Sequence, residues 1–393
     1  MSGAKPNTAD FVIVGAGITG AATAYYLAKA KAGRVVLLDR GQPAAGGTGQ
    51  SAAIVRQHYS NDVLLALARD SVAIFKSLPE ETGYPMGYVR TGWCMLLPKD
   101  VLAGAKKNLE RQKALGIESR MMSAEAARDI IPGLNPDGVA GVAYEPDGGF
   151  ADPHLSTRAY VKAFADLGGE VRLATAVRRL TRQGDRVSGV VTDTDDIAAG
   201  MVVNAAGPWA GSLARTAAIE TRLTVTRELD TIWISEAGRP VPTTSISNAV
   251  DAIYLRPMGY GRYTLGRGFP KDYETVDPDN YRHAVEDDFV ADVRRRVENR
   301  FAGMKGMRLA DTYAALYDVS PDWYPVSGVR DGLAGYADAW GGSGHGFKIA
   351  PALARGLATS LLQPAENAAI AGLGHDRFSS GALFSQAYGG NRG

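Results

Sequence analysis

Phe11-Val12-Ile13-Val14-Gly15-Ala16-Gly17-Ile18-Thr19-Gly20 is the stretch on which the fold turns, read with Val35-Val36-Leu37-Leu38-Asp39 behind it. Four apolar residues without alternation predict a buried parallel strand, and Ala21 to Ala32, free of breakers, predicts a helix. Val35 to Leu38 predicts a second buried strand, closed by an acid 19 residues after the last glycine. The glycine turn thus stands between a strand and a helix, where each glycine has a task. Gly15 makes the turn, Gly17 lets a pyrophosphate approach the backbone, and Gly20 lets the helix pack on the sheet. Around Ile18 and Thr19 the helix start offers unpaired N–H groups to phosphate oxygens. Asp39 can accept both hydroxyls of an adenosine ribose and would repel a 2′-phosphate. This context predicts a dinucleotide site, and it does not separate NAD from FAD.

The next segment does separate them. Gly46-Gly47-Thr48-Gly49-Gln50-Ser51 is a second glycine-rich loop directly after the second strand. An NAD domain would continue there with a helix and a third strand. A loop suits a ligand that runs on past its own pyrophosphate, as FAD does.

The bulk properties set the frame. The chain has 393 residues, 45% hydrophobic and 22% charged, which predicts two or three globular domains. A net charge of +1 gives no reason to expect a nucleic-acid or membrane partner. One cysteine, Cys94, excludes an internal disulfide framework. The start, MSGAKPNTAD, lacks the layout of a signal peptide, and no run of ~18 apolar residues occurs; a cytoplasmic location is expected. The five histidines, at 58, 154, 283, 345 and 375, have no metal-ligand spacing, so no metal is expected.

Four segments carry a family resemblance: the fingerprint with Asp39; Gly49-Gln50-Ser51-Ala52-Ala53-Ile54-Val55-Arg56; Val203-Asn204-Ala205-Ala206-Gly207-Pro208-Trp209-Ala210; and Gly341-Gly342-Ser343-Gly344-His345-Gly346-Phe347-Lys348-Ile349-Ala350-Pro351. On them the chain resembles the D-amino-acid oxidase superfamily, within it the sarcosine oxidase and glycine oxidase branch. The resemblance implies an α/β fold, α+β overall, in which a Rossmann-like FAD-binding domain is interleaved with a substrate domain on a mixed or antiparallel sheet. Residues 1–90, 150–215 and 312–393 would form the first domain, and 91–149 and 216–311 the second. It implies FAD contacts at Arg40, Thr48, Gly49, Gln50, Ser51, Val177, Ala206, Gly207, Trp209, Gly342, Gly344, His345, Gly346, Phe347 and Lys348, beside the fingerprint residues. Trp209 is equally readable as a packing residue. Gly341 to Gly346 precedes an expected helix from Lys348 to Leu362, whose positive end would face the flavin where negative charge gathers on reduction.

In the second domain, Leu223 to Thr226 and Thr231 to Ile234 alternate like two half-buried strands. Ala252 to Arg256 and Tyr263 to Leu265 flank a hairpin turn at Pro257 to Gly261. Phe289, Val293, Val297 and Phe301 mark an amphipathic helix, and the Gly-rich tail after Ser380 reads as frayed.

A flavin supplies redox chemistry, so the chain must bind, orient and tune. Arg56 and Lys348 match positions where sarcosine oxidases hold a substrate carboxylate; read singly they are a surface ion pair and a solvated helix residue. Tyr254 and Tyr317 match active-site tyrosines, with packing as the alternative. His345 is either an acid/base group or a structural hydrogen bond to its loop. Ala315 stands at the thioether cysteine of sarcosine oxidases, and Gln50 and Ser51 where related dehydrogenases attach FAD through histidine, so FAD is expected to be non-covalent. Thr264, or at best the nearby Arg262, stands where a lysine speeds the oxygen reaction of sarcosine oxidases. The expectation is oxidation of a carboxylate-bearing amine, a secondary or N-substituted amino acid, with molecular oxygen as acceptor, by a monomer or small homo-oligomer. A dehydrogenase feeding a carrier, a 2-hydroxy-acid oxidising enzyme and a non-catalytic assembly factor remain as alternatives.

Overall fold

The computed structural model describes residues 7–366 and 368–384. Most of the N-terminal run read for a signal, and the tail from 385 onward, lie outside those residues. Thr8–Val14 lies within an eight-stranded sheet, in parallel between Val35–Leu38 and Asp196–Asn204. Glu170–Arg172 and Tyr336–Trp340 extend the parallel block on its two sides. Val326–Val329, Val177–Gln183 and Arg186–Thr192 join it antiparallel. A parallel sheet is covered on both faces, which is why the first two strands are unbroken apolar runs; Val12, Ile13, Val36, Leu37 and Leu38 are fully buried. Helices Ile18–Lys29, Pro153–Asp166 and Gly346–Leu362 pack together over one face, with Asp62–Thr82 beside the last.

The first helix starts at Ile18 rather than Ala21, because the Gly17 carbonyl already accepts Ala21 N at 2.9 Å. A Cβ on Gly20 would stand 1.9 Å from the Gly15 oxygen, so the helix can sit down on the turn only with glycine there. Gly15 has a φ of +108°, and a Cβ there would meet the Ala205 oxygen at 2.4 Å. The turn is thereby pinned against the end of the neighbouring parallel strand.

A second sheet has nine strands, antiparallel apart from one parallel pair, Ser245–Asn248 with Trp93–Leu97. The two short strands expected between Leu223 and Ile234 are one, Thr224–Ile234. Its charges do not interrupt it because each finds a partner. Arg227 meets Glu274 and Glu286 at 3.0 Å, Glu228 meets Lys271 at 2.5 Å, and Asp230 accepts from the Tyr254 hydroxyl. The hairpin turn is tighter than expected. Strands Ile253–Gly259 and Arg262–Arg267 leave only Tyr260 and Gly261 between them, at φ +51° and +71°, the left-handed pair of a two-residue turn. Pro257 lies inside the strand, next to a register shift and beyond Leu255, the last residue paired with Ser245–Asn248 on the other side. The amphipathic helix spans Asp287–Arg300, with Phe301 just past its end. Residues 312–319, read as part of the cofactor-binding segments, end the strand Arg308–Val319, which pairs with Thr224–Ile234 along its length in the nine-stranded sheet. Among the described residues no helix is long and apolar enough to cross a membrane.

Candidate active site

A cavity of about 890 Å³ is lined from both sheets, near the upper end of the roughly 300–1,000 Å³ usual for ligand sites. Gly15, Gly17, Ile18 and Thr19 form part of its wall. The Gly17 cap makes no side-chain hydrogen bond and the first turn holds no acid, so nothing in the helix itself offsets the positive end that faces the cavity. Thr48 Oγ1 accepts from Ile18 N at 3.2 Å, tying the second glycine loop to the first. Asp39 also lines the cavity; its carboxylate accepts from Ala16 N at 2.6 Å and Gly41 N at 2.7 Å, which fixes its orientation and leaves lone pairs over. The Arg40 guanidinium lies 4.0 Å from the centre of the Trp209 ring, so Trp209 both packs and lines. Val177, Ala206 and Gly207 are on the same lining.

Gly342, Gly344, Gly346, Phe347 and Lys348 bring in a second helix start, that of Gly346–Leu362, two residues earlier than expected and again without a side-chain cap or an acid in its first turn. Asp318, which the sequence reading missed, holds this loop: its carboxylate accepts from Gly341 N at 2.7 Å and Gly342 N at 3.1 Å.

Arg56 and Lys348 are 3% and 6% exposed, which removes the surface ion pair and the solvated helix position as readings. Both line the cavity, and among the described residues neither forms an ion pair with a carboxylate. Arg56 Nη1 donates to the His58 carbonyl at 2.6 Å, and its guanidinium lies over Tyr59 and Trp93. Burial, and then the charge of Arg56, hold the Lys348 ammonium well below its ordinary pKa. Two buried basic groups without a carboxylate in ion-pair reach make a site that asks for an anion.

Tyr254 and Tyr317 line the cavity, as do Gln50, Ser51 and Ala315. Three expected contacts fall outside the lining. Gly20 is consumed by packing on Gly15. Gly49 is wedged against Ala44 and His154, where a Cβ would come within 2.6 Å of both. His345 turns away: a ring nitrogen bonds the Trp323 carbonyl at 2.7 Å, and burial pushes its pKa down to about 3. The bond goes to a separate turn rather than to its own loop. Thr264 is buried against Met258 Sδ at 3.2 Å and likewise does not line the cavity.

A second acid on the lining was also missed. Asp230 is 4% exposed, accepts from the Tyr254 hydroxyl, and is pushed by burial up to about 7. The signal was parity: Thr226, Glu228 and Asp230 alternate along one strand, so one face of a buried sheet is polar.

Two uncapped helix starts and an oriented acid at the end of the second strand fit a long, phosphate-bearing dinucleotide such as FAD. No cysteine or histidine is on the lining, and among the described residues no group of three or more His, Cys, Asp or Glu could hold a metal.

The comparisons agree. Sarcosine oxidase subunit beta of an Arthrobacter species is 26% identical over 387 residues, covering 96% of this chain and 93% of that protein. Mitochondrial sarcosine dehydrogenase of Mus musculus is 28% identical over 345 residues, covering 84% of this chain and 37% of that longer protein. The crystal structure of L-proline dehydrogenase from P. horikoshii superposes with a TM-score of 0.88 at 25% identity, over 97% of this chain and 100% of that one. The family described as FAD dependent oxidoreductase matches residues 10–360, and with that match the chain belongs to this FAD-binding family.

Proposed function

We propose that the chain oxidises the C–N bond of an amino acid, a secondary or N-substituted one, with molecular oxygen as final acceptor, giving an imine that hydrolyses and hydrogen peroxide. The observation that carries this reading is the pair Arg56 and Lys348: buried, on the cavity lining, and without a carboxylate partner. A planar guanidinium and an ammonium fix both the position and the orientation of an amino-acid carboxylate. Relatives named for sarcosine, an N-methyl amino acid, support the substrate class.

FAD, when bound, accepts a hydride from the carbon beside the substrate nitrogen. The rest falls to the chain. Gly15, Gly17 and Thr19 would cradle the pyrophosphate, Asp39 the ribose, and Arg40 and Trp209 would flank the adenosine end. Gln50, Ser51 and Ala315 offer no attachment chemistry, so the cofactor is held non-covalently. The start of helix Gly346–Leu362 would stabilise negative charge at the other end. The eight-stranded sheet would carry the cofactor and the nine-stranded sheet the substrate wall. The oligomeric state stands as proposed from the sequence, a monomer or small homo-oligomer.

The test is peroxide release by the holoenzyme on N-methylglycine, proline and related secondary amino acids in air. Peroxide in step with amine consumption, sharply reduced in Lys348→Met, supports the reading. Turnover only with an added electron carrier would replace oxygen by a dehydrogenase mode, the second reading, which relatives named dehydrogenases favour.

A further inference from the structure

Asp230 belongs to a row built across four strands. The register pairs Tyr254 with Gly266, Gly266 with Asp230, and Asp230 with Tyr313, so the side chains of Tyr254, Asp230 and Tyr313 leave the sheet on one face. Gly266 makes the arrangement possible. A Cβ there would stand 2.4 Å from the Tyr254 oxygen, and its absence opens the gap through which Tyr254 reaches the acid two strands away. The neighbouring acid on this face is already used, since Glu228 pairs with Lys271 at 2.5 Å and accepts from the Thr226 hydroxyl at 2.8 Å. Asp230 has no such cation: among the described residues it forms no ion pair, although Lys271 is close enough to act on it. Of the other acids on the lining, Asp193 and Asp279 pair with arginines and Asp39 and Asp318 are held by backbone N–H groups. The cavity thus sets two basic groups without a carboxylate, on a loop and a helix, against one acid on a sheet held neither by a cation nor by backbone N–H groups. An amino acid with its nitrogen protonated has the complementary charges.

We propose that Asp230 is the amine-binding and proton-accepting residue of this site, pairing with the protonated nitrogen while Arg56 and Lys348 hold the carboxylate. In the step assigned to it, the substrate N–H bond breaks and its electron pair stays on nitrogen. The proton forms an O–H bond with the Asp230 carboxylate. The freed lone pair then assists loss of hydride from the adjacent carbon. Tyr254 and Tyr313 are positioning residues, and burial keeps both hydroxyls protonated, hence donors to the acid. The same placement defines a substrate class: a basic amine with a single carboxylate, because a second carboxylate at Asp230 would be repelled.

Several groups act on this carboxylate. Glu228 on its own strand opposes its ionisation, Tyr254 and Tyr313 stabilise the anion, and Lys271 favours it; Tyr317 lies nearby, and Arg56 and Lys348 share the cavity. Burial outweighs the stabilising groups and leaves the acid near pH 7. The base form is thus gained as pH rises through about 7.

This proposal rests on the amino-acid reading above, and the experiment separates the two. Holoenzyme binds two inert probes, trimethylglycine, with a fixed positive nitrogen, and methoxyacetate, with none, followed by flavin difference spectra. Wild type should prefer trimethylglycine. Asp230→Asn, which keeps the shape and its tyrosine neighbours, should weaken trimethylglycine by about tenfold or more and leave methoxyacetate unchanged or tighter. Lys348→Met should weaken both, whatever stands at 230; if it weakens neither, the carboxylate reading fails instead. As a second readout, kcat/KM for anaerobic flavin reduction should rise with pH through about 7 in wild type, and Asp230→Asn should lose that limb. A wild type that binds methoxyacetate at least as tightly as trimethylglycine overturns the proposal, as does an Asp230→Asn variant with an unchanged ratio of the two affinities and an unchanged pH profile.

Discussion

Lys348 carries the electrostatic tension of the site. Burial and Arg56 oppose its charge, so its pKa in the free protein is low, and a bound carboxylate would favour the charged form and raise it again. Between those two values binding takes up a proton, and carboxylate affinity therefore falls as pH rises through that window. Calorimetry with methoxyacetate in two buffers of different ionisation heat should reveal this uptake, and Lys348→Met should abolish it. Equal heats in the two buffers for the wild type would show that Lys348 keeps its proton throughout. Arg56 acts more simply. Arg56→Ala leaves a buried carboxylate half unpaired, a loss of about 2–5 kcal/mol, and steady-state kinetics should register it as a raised KM.

At the scale of elements, the strand Thr224–Ile234 shapes one wall of the cavity through its partners. Gly266→Ala would place a Cβ against the Tyr254 oxygen and force that hydroxyl off Asp230. The expected result is a protein that still binds FAD but reduces it about tenfold more slowly, an interaction energy inside the usual 0.5–3 kcal/mol. Combined with Tyr254→Phe it should be little worse than either single change, because both remove one interaction; additive losses would contradict the arrangement. This strand also shows where the sequence ran out. Arg227, Glu228 and Asp230 read as a break because unpaired charges do not sit in buried strands, and their partners at 274, 286, 271 and 254 lie 24 to 59 residues away. The glycine turn after Val14 was legible because much of its constraint is local: Gly15 takes a φ of +108°, and Gly20 answers to the Gly15 oxygen five residues before it. Arg56 and Lys348 were legible only through the motifs around them, since nothing local says that a loop cation and a helix cation share a cavity. His345 was placed on the right loop, but its ring direction depends on Trp323, on a distant turn.

For the whole molecule, the cavity is lined from both sheets, so retention of the flavin would report on their docking. Acid should loosen it. His58 and His345 have pKa values pushed by burial down to about 3 from 6.5, so between those values the unfolded chain binds more protons and stability falls as pH drops. Asp230 and Glu145, raised to about 7, act in the opposite sense from about pH 4 to 7, offsetting part of this loss. Thermal melts should show a weaker acid limb in His345→Gln, which can still donate to the Trp323 carbonyl, than in wild type; identical limbs would mean that His345 is charged when folded. Acid precipitation should release the yellow colour as free FAD, because Ala315 and Gln50 give it nothing to bond to, and colour left in the pellet would reveal an attachment elsewhere. The central claim, that this cavity takes an amino acid and strips hydride from beside its nitrogen, is tested most directly by anaerobic bleaching of the bound flavin. Matched pairs of a secondary amino acid and the same amine without its carboxylate are mixed with holoenzyme in excess. At least one amino acid should bleach the flavin while its decarboxylated partner does not; no bleaching by any amino acid, or equal bleaching by the bare amine, would contradict it.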